Sequence, residues 1–241
     1  MRSARMDRRM SRQELEQTFS AEKAAQDGLL SNRVYRQLSF LVTPWFLNAG
    51  ISANSISCVG LLCSAMMPLV AVLLGPYDYL GVALLIVLYL VLDCVDGNVA
   101  RVVGSSGPLG QYLDSLAGKL YAVGRTLALG IVAARELPVL GLGTWVSLAF
   151  FAVLLFIWGR ESRQYLKISG GGTPDHFVVG WGRLRDLALG FTELIPLGLI
   201  VLGPLGYAWL TFVGLFFFYT ALFAYSQLRI FRQLMGPQGP A

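Results

Sequence analysis

Charge is scarce in this chain. Only 14% of its 241 residues are Asp, Glu, Lys or Arg, against 55% hydrophobic, and the mean hydropathy is +0.60. So few charges cannot cover the surface of the one or two soluble domains that the length alone would allow. Cysteine is scarce too. Cys58, Cys63 and Cys94 lack C-x2-C spacing and sit in apolar sequence, which argues for small buried hydrophobes and against a zinc site or a disulfide framework. The single histidine, His176, stands in a polar stretch after Gly170-Gly171-Gly172 and reads as an exposed loop residue without a catalytic role. That glycine run lacks the strand and helix of a dinucleotide loop. No internal repeat occurs, and no apolar core or cleavage site follows the Arg-rich N-terminus, so no signal peptide is expected. The net charge of +5 does not point to nucleic acid. The basic residues flank apolar runs and do not interleave with aromatics, which suits topology signals and anionic lipid headgroups.

What is abundant is apolar sequence in runs too long for buried core helices. The fold expected is an all-α integral membrane protein of six transmembrane helices preceded by an amphipathic interfacial helix. Residues 1–27 form a polar arm, with a capping box at Ser11–Glu14 opening a short helix. Residues 28–48 hold the amphipathic helix. Its apolar stripe runs through Val34, Tyr35, Leu38, Leu41, Val42 and Trp45, with Arg33 and Arg36 off the stripe and a bend at Pro44. The six-helix domain covers 49–235, with spans near 54–75, 79–103, 108–134, 144–166, 184–203 and 207–229, and 236–241 form a tail. Ser52–Ser57 is an N-cap cluster for the first span. Basic residues of the arm, with Arg33, Arg36, Arg101, Arg160, Arg163, Lys167, Arg183, Arg185, Arg229 and Arg232, fall on one side and Arg135 alone on the other. Both termini are therefore expected in the cytoplasm.

Inside this apolar sequence three carboxylates stand close together. Asp93, Asp96, Gly97, Ala100 and Arg101 follow the i, i+3, i+4, i+7, i+8 pattern of one helix face. Gly110, Asp114 and Gly118 follow successive i+4 steps on the next helix. A carboxylate in hydrocarbon is costly and marks a functional site. Hard oxygen ligands with open positions suit Mg²⁺ or Mn²⁺ holding a phosphate, with small residues leaving room for a ligand and Arg101 able to pair with phosphate. The site would face the cytoplasm, where nucleotide-activated substrates are available.

The segment resembles the signature of the CDP-alcohol phosphotransferases (CDP-alcohol phosphatidyltransferases), D-x2-D-G-x2-A-R-x8-G-x3-D-x3-D. It matches at Asp93, Asp96, Gly97, Ala100, Arg101, Gly110 and Asp114, and departs where the fourth Asp is Gly118. Ser52–Ser57 loosely resembles the T-P-N-x-x-T motif of the same family. The resemblance implies transfer of a phospho-alcohol group from a CDP-linked donor, such as CDP-diacylglycerol, to an acceptor hydroxyl with release of CMP. It implies metal ligands at Asp93, Asp96 and Asp114, a CDP pocket at Gly97, Ala100, Arg101 and Gly110, a catalytic base at the position of Gly118, and a homodimer.

Gly118 can supply neither base nor ligand. The acceptor is then already anionic, or Glu161, Asp175 or His176 replaces the base, or the site binds CDP-lipid without turnover, or the chain is an altered copy of an active enzyme. An intramembrane prenyltransferase, which also uses Asp pairs and Mg²⁺, is a further alternative. Arg160 and Arg163, with Lys119 beside Gly118, would hold a phosphorylated acceptor, or serve only as flanking charge. Arg125 lies about 16 Å deeper than Asp114 on the same stripe and is expected to pair with Glu193, or else to line a polar pocket for an acceptor headgroup.

Overall fold

The structure, a computed structural model, describes residues 31–104, 107–168 and 182–235 together with Gln13 and Leu15. For 163–168, 182–190, 229, 233 and 234 it describes the backbone alone. Most of the polar arm with its Ser11–Glu14 capping box, the loop carrying Asp175 and His176, and the tail from 236 lie outside the described residues.

Every element among the described residues is helical. A π-helical turn, Ser31–Tyr35, leads into α1 (Arg36–Asn48). Six long helices follow: α2 (Ala53–Leu73), α3 (Asp78–Val103), α4 (Pro108–Glu136), α5 (Gly141–Ile168), α6 (Gly182–Leu202) and α7 (Trp209–Met235). Their boundaries follow local chemistry. Ser52 caps α2, its side chain accepting from the Ser55 backbone N–H at 3.2 Å. Gly104, at φ +67°, ends α3 in the left-handed region, and Pro108 opens α4 at a position where its missing N–H costs nothing.

Five stretches are long and apolar enough to cross a membrane: Ala53–Leu73, Gly75–Val103, Pro108–Glu136, Pro138–Ser162 and Trp209–Arg232. From the end of α6 into the 3-10 turn that follows it, the described residues form a shorter apolar segment, Phe191–Leu205. Large apolar side chains such as Leu62, Leu69, Leu84, Phe150 and Phe217, each more than half exposed, look outward from these helices. An apolar exterior of this kind belongs against lipid, and the chain is read as an integral membrane protein.

Helix α2 packs most extensively against α3 and α4, and α5 against α4 and α7. The α2–α4 contact is close because α4 carries glycine there: a Cβ on Gly124 would stand 2.0 Å from the backbone oxygen of Ser64. Small residues serve this purpose in membranes, where packing and not the hydrophobic effect holds helices together. Tyr89 of α3 stacks on Tyr121 of α4 with ring centroids 4.0 Å apart.

Three sequence expectations change here. Arg125 does not pair with Glu193. Its Nη1 donates to the Tyr121 hydroxyl at 3.1 Å and its Nη2 to the Tyr219 hydroxyl at 2.5 Å, with the guanidinium 4.5 Å from the centre of the Tyr121 ring. Glu193 instead accepts from the Ser31 backbone N–H at 2.8 Å. Tyr35 is not part of an outward apolar stripe: it is buried, and its hydroxyl donates to the backbone oxygen of Glu193 at 2.7 Å. Burial, with Tyr121 and Glu193 nearby, pushes that hydroxyl above its ordinary pKa and keeps it a donor. Of the cysteines, Cys63 and Cys94 are buried as expected, whereas Cys58 is exposed.

The rest of the α1 stripe (Val34, Leu38, Leu41, Val42, Trp45) is exposed, while Arg36, Ser39 and Thr43 on the opposite face are buried. Helix α1 therefore turns its polar face to the protein and its apolar face out, running through Pro44. At the far end of the bundle Arg135 pairs with Asp78 and also donates to the Gly75 backbone oxygen, tying α4 to the α2–α3 turn.

Candidate active site

The end of α3 lies against the start of α4, and α2 begins beside them. A cavity of about 290 Å³ opens at this junction. Asp93, Asp96, Gly97, Ala100 and Arg101 line it from α3, and Gly110, Gln111 and Asp114 from α4. The helix-face argument thus brings every expected metal-ligand and CDP-pocket residue to one cavity. Asp96 accepts from the Ser57 hydroxyl at 2.6 Å. Asp93 and Asp114 are exposed. Gly97 leaves space that Arg101 partly fills, since a Cβ there would stand 3.5 Å from Arg101 Nη2. At Gly110 a Cβ would stand 3.4 Å from Asn54 Oδ1, so α2 and α4 meet closely at the cavity rim.

The spacing of acids on single helices did not reveal three further residues. Ser57 reaches Asp96 from α2. Asn98, at an unspecified position within the signature, is buried and uses its whole amide. Its Oδ1 accepts from Arg36 Nη1 at 3.3 Å and Arg101 Nη2 at 2.8 Å, and its Nδ2 donates to Ser39 Oγ at 3.1 Å and Thr43 Oγ1 at 3.2 Å. Arg36 lines the same cavity. A signal for this was present: Arg36, Ser39 and Thr43 recur at i, i+3 and i+7, a polar stripe opposite the apolar one.

Of the expected acceptor residues, Lys119 lies at the next turn of α4 and Arg160 toward the end of α5, and neither is among those lining the cavity. Gly118 faces Arg160: a Cβ on Gly118 would stand 3.4 Å from Arg160 Nη1. Lys119 is paired with Glu161, Nζ to Oε1 at 2.7 Å, so Glu161 as it stands serves Lys119. The Arg163 side chain lies outside the described residues.

By ligand type the acids fit a hard divalent cation, with Asp93 and Asp96 one helical turn apart and Asp114 facing the same space. Among the described residues no three His, Cys, Asp or Glu side chains stand together as a ready-made metal cluster. Phosphate oxygens or water would have to complete any coordination shell.

A polytopic helical bundle with an acid-lined cavity at one end defines an integral membrane protein with a polar site. The comparison with known families is more specific. The family model for CDP-alcohol phosphatidyltransferase matches residues 51–218, and the chain belongs to that family. This is a family of transferases that move phospho-alcohol groups in lipid synthesis. None of the curated proteins compared matches the chain.

Proposed function

We propose that this protein transfers a phospho-alcohol group from a CDP-linked donor, such as CDP-diacylglycerol, to an acceptor alcohol or phosphorylated polyol, releasing CMP. One observation carries the reading: Asp93, Asp96, Gly97, Ala100, Arg101, Gly110 and Asp114, drawn from two helices, line a single cavity. In this reading Asp93, Asp96 and Asp114 hold Mg²⁺ or Mn²⁺. A bound divalent cation supplies charge neutralisation for the diphosphate and makes CMP a better leaving group. Gly97, Ala100 and Gly110 leave the donor room against the helix backbones, Arg101 binds its phosphate oxygens, and Ser57 fixes the Asp96 carboxylate.

The acceptor side is read from Gly118 and Arg160. A neutral alcohol needs a positioned base, which typically contributes about 10² to 10⁴ in rate. At Gly118 there is no carboxylate, and the group facing the glycine is a guanidinium. That arrangement favours an acceptor whose phosphate is held by Arg160, with Arg163 nearby in sequence and Lys119 able to exchange Glu161 for that phosphate, while the proton of the attacking hydroxyl must leave to a base other than residue 118. The same glycine also supports a second reading, a homologue that binds CDP-lipid without turning it over. Family membership favours either over a prenyltransferase.

The wider arrangement follows the same reading. All six long helices span the bilayer, α6 included, and α1 lies in the interface with Trp45 toward lipid. Both termini and the cavity face the cytoplasm, and a homodimer is the working unit by family resemblance. The test is to supply the purified protein with CDP-diacylglycerol, Mg²⁺ or Mn²⁺ and a panel of neutral and phosphorylated polyols, and to measure CMP. Release that depends on a phosphorylated acceptor is expected. Metal-dependent CDP binding without CMP from any acceptor would instead establish the binder.

A further inference from the structure

Arg36 belongs to no signature and sits on the helix assigned above to the membrane interface, yet its side chain lines the acid-bearing cavity. It is 5% exposed, and it shares an acceptor with Arg101, both guanidiniums donating to Oδ1 of Asn98. Two cations are thereby gathered at one neutral oxygen on the cavity wall. A phosphate seated beside both guanidiniums would be held from two sides. Planar guanidinium forks match phosphate oxygens in pairs.

The surroundings point the same way. Ala53 and Asn54, the first residues of α2, line the same cavity, so the positive end of a 21-residue helix faces it. Asn98 meanwhile bonds Ser39 and Thr43 of α1 as well as both arginines, which fixes α1 in register with α3. That register holds the Arg36 guanidinium at the wall.

We infer that Arg36 is a second phosphate-binding residue for the donor, clamping the diphosphate of a CDP-linked substrate together with Arg101, with Asn98 as the positioning residue for both. The inference rests on the CDP-alcohol reading of the cavity and adds to it that α1 is a wall of the donor site as well as an interfacial helix.

Equilibrium binding of CDP and of cytidine to the full-length protein in detergent, with Mg²⁺ present, tests it. Arg36→Gln should weaken CDP binding at least about tenfold and leave the weaker cytidine binding within about twofold, with Arg36→Lys in between because it keeps the charge and loses the fork. A structural role is separated by melting. CDP should raise the melting temperature of the wild type, and Arg36→Gln should lose that increment. Tyr35→Phe, which removes the bond to the Glu193 backbone, should melt lower and keep it. Hydrogen exchange on the wild type gives a readout independent of any variant: CDP should slow exchange across 31–43 and cytidine should not. Equal CDP affinity in wild type and Arg36→Gln, or no CDP-dependent protection of 31–43, overturns the role of Arg36 and leaves the CDP site standing. A wild type that binds no CDP overturns the CDP reading itself, and this inference with it.

Discussion

Asp96 and Gly118 define the two halves of the site at the scale of single residues. Asp96 is anchored by Ser57 and shares the cavity with Asp93 and Asp114. Asp96→Asn should reduce Mg²⁺-dependent CDP binding at least about tenfold. Ser57→Ala, which removes one hydrogen bond worth on the order of 1 kcal/mol, should cost only a few-fold. Unchanged binding in Asp96→Asn would end the metal-site assignment. At Gly118 the backbone tolerates a side chain, and what a new carboxylate would meet is Arg160. Gly118→Asp should therefore neutralise Arg160 and raise the KM for a phosphorylated acceptor about tenfold, an effect Arg160→Ala should reproduce. A rise in kcat at unchanged KM would show that the glycine is simply a missing base. The acids and small residues were legible in the sequence because each lies on one face of its own helix. Arg36, Asn98 and Ser57 were not, because each acts across a helix–helix contact. Periodicity fixes which residues share a face but not the rotation of one helix about its neighbour. Arg125 was misread for that reason: an acid at about the right depth was available, and the packing gave it two tyrosines.

Among the elements, α1, α4 and α6 carry what composition could not resolve. In α1 the apolar stripe is exposed except at Tyr35, and the face carrying Arg36, Ser39 and Thr43, which the stripe left unassigned, is the packed one. In α4 the deciding feature is Gly124, whose backbone touches that of α2 at Ser64. Gly124→Leu must push the two helices apart, at a cost of about 1–3 kcal/mol or more. It should lower the melting temperature in detergent, whereas Gly143→Ala, where a Cβ meets nothing within 4 Å, should not. Equal melting of the two would contradict the close α2–α4 contact. The buried Arg125 cluster joins α4 to α7. Tyr219→Phe removes the bond of 2.5 Å from a guanidinium whose Nε already has no hydrogen-bond partner among the described residues. A loss of about 1–3 kcal/mol is expected. Glu193→Gln should leave this cluster intact. For α6 only the segment Phe191–Leu205 is found apolar among the described residues, so five spans are plain from length and composition and the sixth is proposed.

For the whole molecule, the helices build a lipid-facing exterior around a small polar cavity at one end, and Arg135 with Asp78 closes the other end. The proposed orientation puts the cavity in the cytoplasm. In right-side-out vesicles of cells carrying the protein, a membrane-impermeant thiol reagent should label a cysteine introduced at Val139, which is 90% exposed in the Arg135-side turn, and spare one introduced at Leu109 beside the cavity. The reverse pattern would invert the topology. The central claim is transfer chemistry at the Asp93–Asp96–Asp114 cavity, and CMP release tests it most directly. Purified wild-type protein and Asp114→Asn are compared with CDP-diacylglycerol, Mg²⁺ and a phosphorylated polyol. The account predicts acceptor-dependent CMP from the wild type and a loss of at least about a hundredfold in the variant. CMP formed equally by both, or by neither with any acceptor, would contradict it.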